Sequence, residues 1–246
     1  MLRPLRKVRD HFFRDIINRI SDLETGIRVL VNSPSYDHSD GVGFNGQKGR
    51  KRIFLDLVGK YEFSSLIETG TYLGDTAGYM AKTTGLPVFS CERNPSLFSL
   101  AKLRLKEIPL VSLCNMDSRE FLLSLSDKPE ISEKECFIYL DAHWGKAVPL
   151  KEEISIISSR WKKFIIMIDD FQVPDDDGYQ YGKYGTLRNI NISKLHSDYN
   201  LCAFFPAFPS REEYPVAQGC VILTKNDHFA GPLQEISSIK RYRLNE

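Results

Sequence analysis

Apolar and polar positions along this chain follow two periods, one suited to buried strands and one to helices. Short apolar runs at Ser65–Thr69, Pro87–Cys91, Leu110–Cys114, Cys136–Leu140 and Phe164–Ile168 predict strands, with helical spacing between them. Such regular alternation predicts a parallel sheet with right-handed crossovers and helices on both faces. Two further runs, Leu201–Pro206 and Gly219–Thr224, follow without a helix long enough for a crossover, as in a hairpin at one sheet edge. Ahead of this core, Phe12, Phe13, Ile16, Ile17, Ile20, Leu23, Ile27 and Leu30 recur near helical spacing from Val8 to Val31, an amphipathic helix. Asn32 to Gly49 is rich in Ser, Gly, Asp and Asn and reads as a loop, leading into a helix from Arg50 to Tyr61. The organisation expected is an N-terminal helix and loop extension, residues 1–49, followed by an α/β domain, residues 50–246.

Composition narrows the function classes. The 246 residues carry 33 basic and 32 acidic side chains, so no global field favours nucleic acid or an anionic surface. No apolar stretch approaches the ~20 residues needed to span a bilayer. The basic start, Met1 to Lys7, lacks the apolar core and cleavage site of a signal peptide. Five cysteines, Cys91, Cys114, Cys136, Cys202 and Cys220, mostly in apolar runs and without zinc spacing, read as free thiols of a cytoplasmic protein. For the N-terminal helix, packing against the domain or against a second copy in a homo-oligomer competes with a membrane-surface role for Arg3, Arg6, Lys7 and Arg9. The acids Asp10, Asp15, Asp22 and Glu24 weigh against the latter.

The most specific chemistry lies in Leu66-Ile67-Glu68-Thr69-Gly70-Thr71-Tyr72-Leu73-Gly74-Asp75-Thr76. Glycines 70 and 74 permit a sharp turn and close approach of backbone to a ligand, delivered to the first amides of the following helix. The spacing is not that of dinucleotide folds, and the acid ahead of the first glycine would repel a pyrophosphate and attract an ammonium. That charge logic points to S-adenosylmethionine (SAM). Glu68, Gly70, Gly74 and Thr76 resemble motif I of the class I SAM-dependent methyltransferases. Glu92 closes the second strand about 20 residues beyond the loop, where an acid can bond both ribose hydroxyls, and Asp117 stands where this family contacts the adenine side. The resemblance implies a Rossmann-like, seven-stranded, mostly parallel sheet whose last strand is antiparallel. The cofactor contacts expected are Glu68, Thr69, Gly70, Thr71, Tyr72, Gly74, Thr76, Glu92, Asp117 and Asp141. Phe44-Asn45-Gly46-Gln47 is placed to lie over the same cleft.

Strands four and five end in Asp141-Ala142-His143-Trp144 and in Asp169-Asp170-Phe171. Open α/β sheets bind ligands at these carboxyl ends. Three acids gathered there suit Mg²⁺, which would relieve their repulsion, although strand-end acids are ordinary in this fold and Asp170 can serve as a cap. Here the sequence is similar to the metal-dependent sugar O-methyltransferases of the macrocin O-methyltransferase type. That resemblance implies Asp141, Asp169 and Asp170 as Mg²⁺ ligands and makes His143, where the family carries an acid, the general base. An imidazole with a pKa near 6.5 can accept a hydroxyl proton at neutral pH. His143 as a metal ligand or as a structural residue stays open.

The long polar loop Val173 to Gly185, with three tyrosines, is a natural lid for an acceptor, or simply an acidic surface loop. The function expected is methyl transfer from SAM to a hydroxyl of a small molecule, such as a sugar or glycoside, assisted by Mg²⁺. The alternatives are a metal-free small-molecule methyltransferase and a nucleotide- or sugar-binding module without turnover. A nucleic-acid acceptor is disfavoured by charge and by the lack of a motif for a flipped base.

Overall fold

A computed structural model describes residues 43–142, 149–182, 192–225 and 227–242, together with Ile16. Apart from Ile16, the expected N-terminal helix and the first part of its loop lie outside the described residues. A single 3₁₀ turn, Phe44–Gly46, leads into α1 (Lys48–Lys60). The core then runs β1 (Ser65–Thr69), α2 (Asp75–Thr84), β2 (Val88–Cys91), α3 (Pro95–Arg104), β3 (Val111–Cys114), α4 (Ser118–Ser126) and the short α5 (Pro129–Ser132). It continues with β4 (Glu135–Leu140), α6 (Leu150–Arg160), β5 (Lys163–Ile168), α7 (Ile192–Tyr199), β6 (Leu201–Pro206), β7 (Val221–Lys225) and β8 (Ile239–Arg241).

Among the described residues the strands form one sheet in the order β3-β2-β1-β4-β5-β7-β6-β8. Strands β1 to β5 are parallel, and β7 inserts antiparallel between β5 and β6. The sheet has eight strands rather than the seven expected, because β8 adds an antiparallel edge to β6 through Phe204–Arg241, Phe205–Lys240 and Pro206–Ile239. A second correction concerns β6. It is antiparallel to β7 and therefore runs with β5, so a crossover is required, and α7 lies on that connection.

Period-two burial sorts the sheet's faces. On β4, Cys136, Ile138 and Leu140 join Phe121, Leu122 and Leu125 of α4 and Ile154 and Ile157 of α6 in one core. Phe137 and Tyr139 face the other way and join Ile53, Phe54 and Leu57 of α1 and Met80 and Ala81 of α2. Helices thus cover both faces, as the alternation predicted. Phe44 is fully buried in the second core, its ring 5.1 Å from Phe54 and 5.0 Å from Tyr139. All five cysteines are free, four buried and Cys114 half-buried. Among the described residues no helix is long and apolar enough to cross a membrane.

Candidate active site

The order of strands reverses between β1 and β4, and the loops leaving these strands meet there. Gly70 has φ +86°, and a Cβ on it would lie 2.6 Å from the Asp141 carbonyl oxygen, so the approach of the two loops requires glycine. The amides of Gly70 and Thr71 both donate to the Cys91 carbonyl at 3.0 Å, which fixes the turn to the end of β2. Gly74, at φ +84°, ends the turn and stands at the N-cap of α2.

A cavity of about 270 Å³ opens beside this turn, lined by Gly70, Glu92, Arg93, Asp117, Arg119 and Ala142 among others. Three predicted cofactor residues thus share one cavity: Gly70, Glu92 and Asp117. The Glu92 carboxylate accepts from the amides of Tyr72 (2.9 Å) and Asn94 (2.8 Å). Asp117 caps α4, accepting from the Arg119 amide (3.0 Å) and from its guanidinium (2.8 and 3.0 Å). Those hydrogen bonds, with the Arg119 charge, hold the Asp117 carboxyl below its usual range. Arg93 and Arg119 on the cavity wall were missed by the sequence reading. Asp117-Ser118-Arg119 looks like an ordinary helix start, and only the fold shows that this start faces a cleft.

Other predicted contacts lie elsewhere. Thr69 and Thr71 are buried and do not line the cavity, and Tyr72, at φ +51°, is half exposed on the turn. The Thr76 hydroxyl accepts from the Phe44 amide at 3.0 Å, so it ties down the segment before α1. Glu68 is enclosed between β1 and β2, where Ser90 donates to it at 2.5 Å, and Thr71 and Ser90 share a bond of 2.6 Å. Burial pushes the Glu68 carboxyl up to about 8, with Ser90 opposing the shift. The folded state therefore keeps a proton that the unfolded chain releases near 4.5. The associated stability is present below that value and is lost as pH rises through about 8. Urea unfolding of Glu68→Gln should consequently show a smaller loss of stability across this window than the wild type. Parallel pH profiles for the two proteins would mean that Glu68 titrates like an exposed acid.

Asp141, Asp169 and Asp170 do end adjacent strands, but the structure gives the expected metal triad no support. Asp169 is buried, and both of its oxygens are engaged. Oδ1 pairs with the Arg50 guanidinium and accepts from the Asp170 amide at 2.5 Å. Oδ2 accepts from the Tyr139 hydroxyl at 2.7 Å and from the Asn45 amide side chain at 3.4 Å. A carboxylate offers about four acceptor positions, and these four donors occupy them. Among the described residues no group of three or more His, Cys, Asp or Glu side chains is arranged to hold a metal ion. The neutralising charge comes from Arg50, on the α1 stripe of Arg50, Ile53, Phe54 and Leu57. Its Nη2 also donates to the carbonyl oxygens of Gln218 (3.0 Å) and Gly219 (3.4 Å). Burial alone would lower the Arg50 pKa, but the charge of Asp169, first among its neighbours, holds it well above the usual value. The Asp141 carboxyl is raised by burial and then by Asp169 and Asp170. His143 lies outside the described residues.

The expected lid is largely pinned. Val173 and Tyr179 are core side chains, Asp176 accepts from the Ser210 amide and hydroxyl at 2.8 Å, and the Gly182 amide donates to the Asp170 carbonyl. Residues 183–185 lie outside the described residues.

No family model and no curated protein matches this sequence. Solved structures match at the level of fold, and several of them are methyltransferases. An O-methyltransferase from Bacillus cereus in complex with SAH has a TM-score of 0.54 at 16% identity, over 82% of this chain and 90% of that one. The methyltransferase PaMTH1 of Podospora anserina, SAH-bound, gives 0.54 at 16% over 87% and 96%. The O-methyltransferase TomG of Streptomyces achromogenes, involved in tomaymycin synthesis and solved with SAM, gives 0.53 at 16% over 72% and 80%. The chain therefore has the fold of the SAM-dependent methyltransferases.

Proposed function

We propose that this chain is an O-methyltransferase that moves a methyl group from SAM to a hydroxyl of a small molecule. The observation that carries the reading is the meeting of Gly70, Glu92 and Asp117 in one cavity at the point where the strand order reverses. In this reading the glycine turn receives the methionyl end, Glu92 the ribose and Asp117 the adenine side. Glu92 spends two acceptor positions on backbone amides, and a carboxylate has about two more for the ribose hydroxyls. The bound cofactor supplies an activated methyl on its sulfonium. His143, two residues beyond Asp141 in the chain, takes the acceptor proton in this reading, and catalysis rests on positioning and on that transfer. No step is assigned to a metal, since the filled Asp169 does not fit one. The exposed aromatic side chains of Tyr72 and Tyr214, apolar with a polar tip, suit a polyol or glycoside acceptor.

Calorimetry with SAM and SAH tests the cofactor, and label transfer from methyl-labelled SAM to a panel of hydroxyl compounds tests the reaction. Glu92→Ala should weaken SAM binding by about 1.5–3 kcal/mol, the value of hydrogen bonds to a charged group. Tight binding of NAD without affinity for SAM or SAH would defeat the assignment.

A further inference from the structure

The carboxylate of Asp169, at the end of β5, is paired with a cation that the chain carries itself. Arg50 is fully buried and paired with Asp169, which the Tyr139 hydroxyl and the Asn45 amide also bond. Its other guanidinium nitrogen is held by two backbone carbonyls just ahead of β7. The segment delivering Arg50 is fixed at three further points: the Phe44 amide on Thr76, the Gly49 amide on Glu213 at 2.9 Å, and the Lys48 amide on the Tyr214 carbonyl at 3.0 Å. A planar fork so anchored is a fixed charge.

We propose that Arg50, through its ion pair with Asp169, is the built-in cation of this site, so that the site assembles and works without a divalent metal. Arg50 is then a positioning residue, acting through Asp169 and Tyr139. The proposal rests on the methyl-transfer reading only where it speaks of work. Its cation claim is read independently of SAM.

The test uses the full chain, stripped of metal, titrated with Mn²⁺ while the free ion is followed by electron paramagnetic resonance. Calorimetry with SAM is run in parallel, in EDTA and in Mg²⁺. The wild type should retain no stoichiometric Mn²⁺ and should bind SAM equally in both buffers. Arg50→Gln, which removes the charge and keeps polar atoms, should gain Mn²⁺ affinity on the order of tenfold, a difference of about 1.4 kcal/mol. Arg50→Lys, which keeps the charge, should stay free of Mn²⁺ and serves as the folded comparison if the glutamine variant does not fold. One Mn²⁺ bound per wild-type chain and lost in Asp169→Asn overturns the proposal. So does a folded Arg50→Gln without added affinity, or a folded Arg50→Lys that takes up the ion. Failure to bind SAM in every buffer would instead strike the methyl-transfer reading and leave the cation result standing.

Discussion

Arg50→Met should lower the stability of the folded chain by about 3–5 kcal/mol, the loss that follows when one partner of a buried ion pair is removed. The substitution keeps the apolar stem and deletes the charge, so the packing of α1 through Phe54 and Leu57 is little altered. What it leaves is a buried Asp169 carboxylate with neutral donors alone, and two carbonyls, at Gln218 and Gly219, without their guanidinium. Urea unfolding followed by circular dichroism reads the effect. The double variant Arg50→Met with Asp169→Leu should recover part of it, because the uncompensated charge is then gone. Losses that simply add in the double variant would show that the two side chains are not energetically coupled.

Gly70→Ala should remove SAM binding by a factor of about 100 or more. Alanine at a left-handed φ costs about 1–2 kcal/mol, and its Cβ would sit 2.6 Å from a backbone oxygen of Asp141, which cannot swing aside as a side-chain tip can. Overpacking of this kind adds about 1–3 kcal/mol. The turn must therefore move away from β4, carrying with it the amides of Gly70 and Thr71 that Cys91 now holds. Roughly 3 kcal/mol is about a hundredfold in affinity. Calorimetry with SAM checks this, and near-normal affinity would mean that the loop carries no part of the cofactor site.

How far the sequence foretold this molecule depends on the range over which each feature is encoded. Strands β4 and β5 are near-continuous apolar runs because both faces of the sheet are covered there, and that pattern is written within a few residues. By contrast, β8 has one buried residue, Ile239, followed by two exposed ones, and so leaves no pattern to read. The α7 crossover escaped notice because it is short and follows a polar stretch. At the site, Gly70, Glu92 and Asp117 were legible from spacing within βαβ units. The bond that Thr76 makes to the Phe44 amide, between segments 32 residues apart, has no such local signal. The metal reading finds no support for the same reason on a larger scale. Charge repulsion among Asp141, Asp169 and Asp170 was rightly seen, but the cation that answers it sits in a basic run, Lys48-Gly49-Arg50-Lys51-Arg52, that resembles a solvated helix start. The spacing of Arg50 with Ile53, Phe54 and Leu57 marks it as facing inward, and that was the available signal.

The bonds that hold Arg50 also set an order of assembly. Its carbonyl partners lie 168 and 169 residues further along the chain, and the carboxylate that takes the Gly49 amide lies 164 residues away. During synthesis the helix bearing Arg50 emerges among the first described elements, yet its guanidinium can be satisfied only after the segment leading into β7 has been made and docked. Closing so long a loop is slow. The parallel strands β1 to β4 can pair beforehand, and the guanidinium paired with Asp169 gains its carbonyl anchors in a late step that joins the beginning of the domain to the segment before β7. A nascent chain halted before Gln218 would lack the guanidinium's carbonyl anchors, so the polar centre is completed only once the segment leading into β7 has been made.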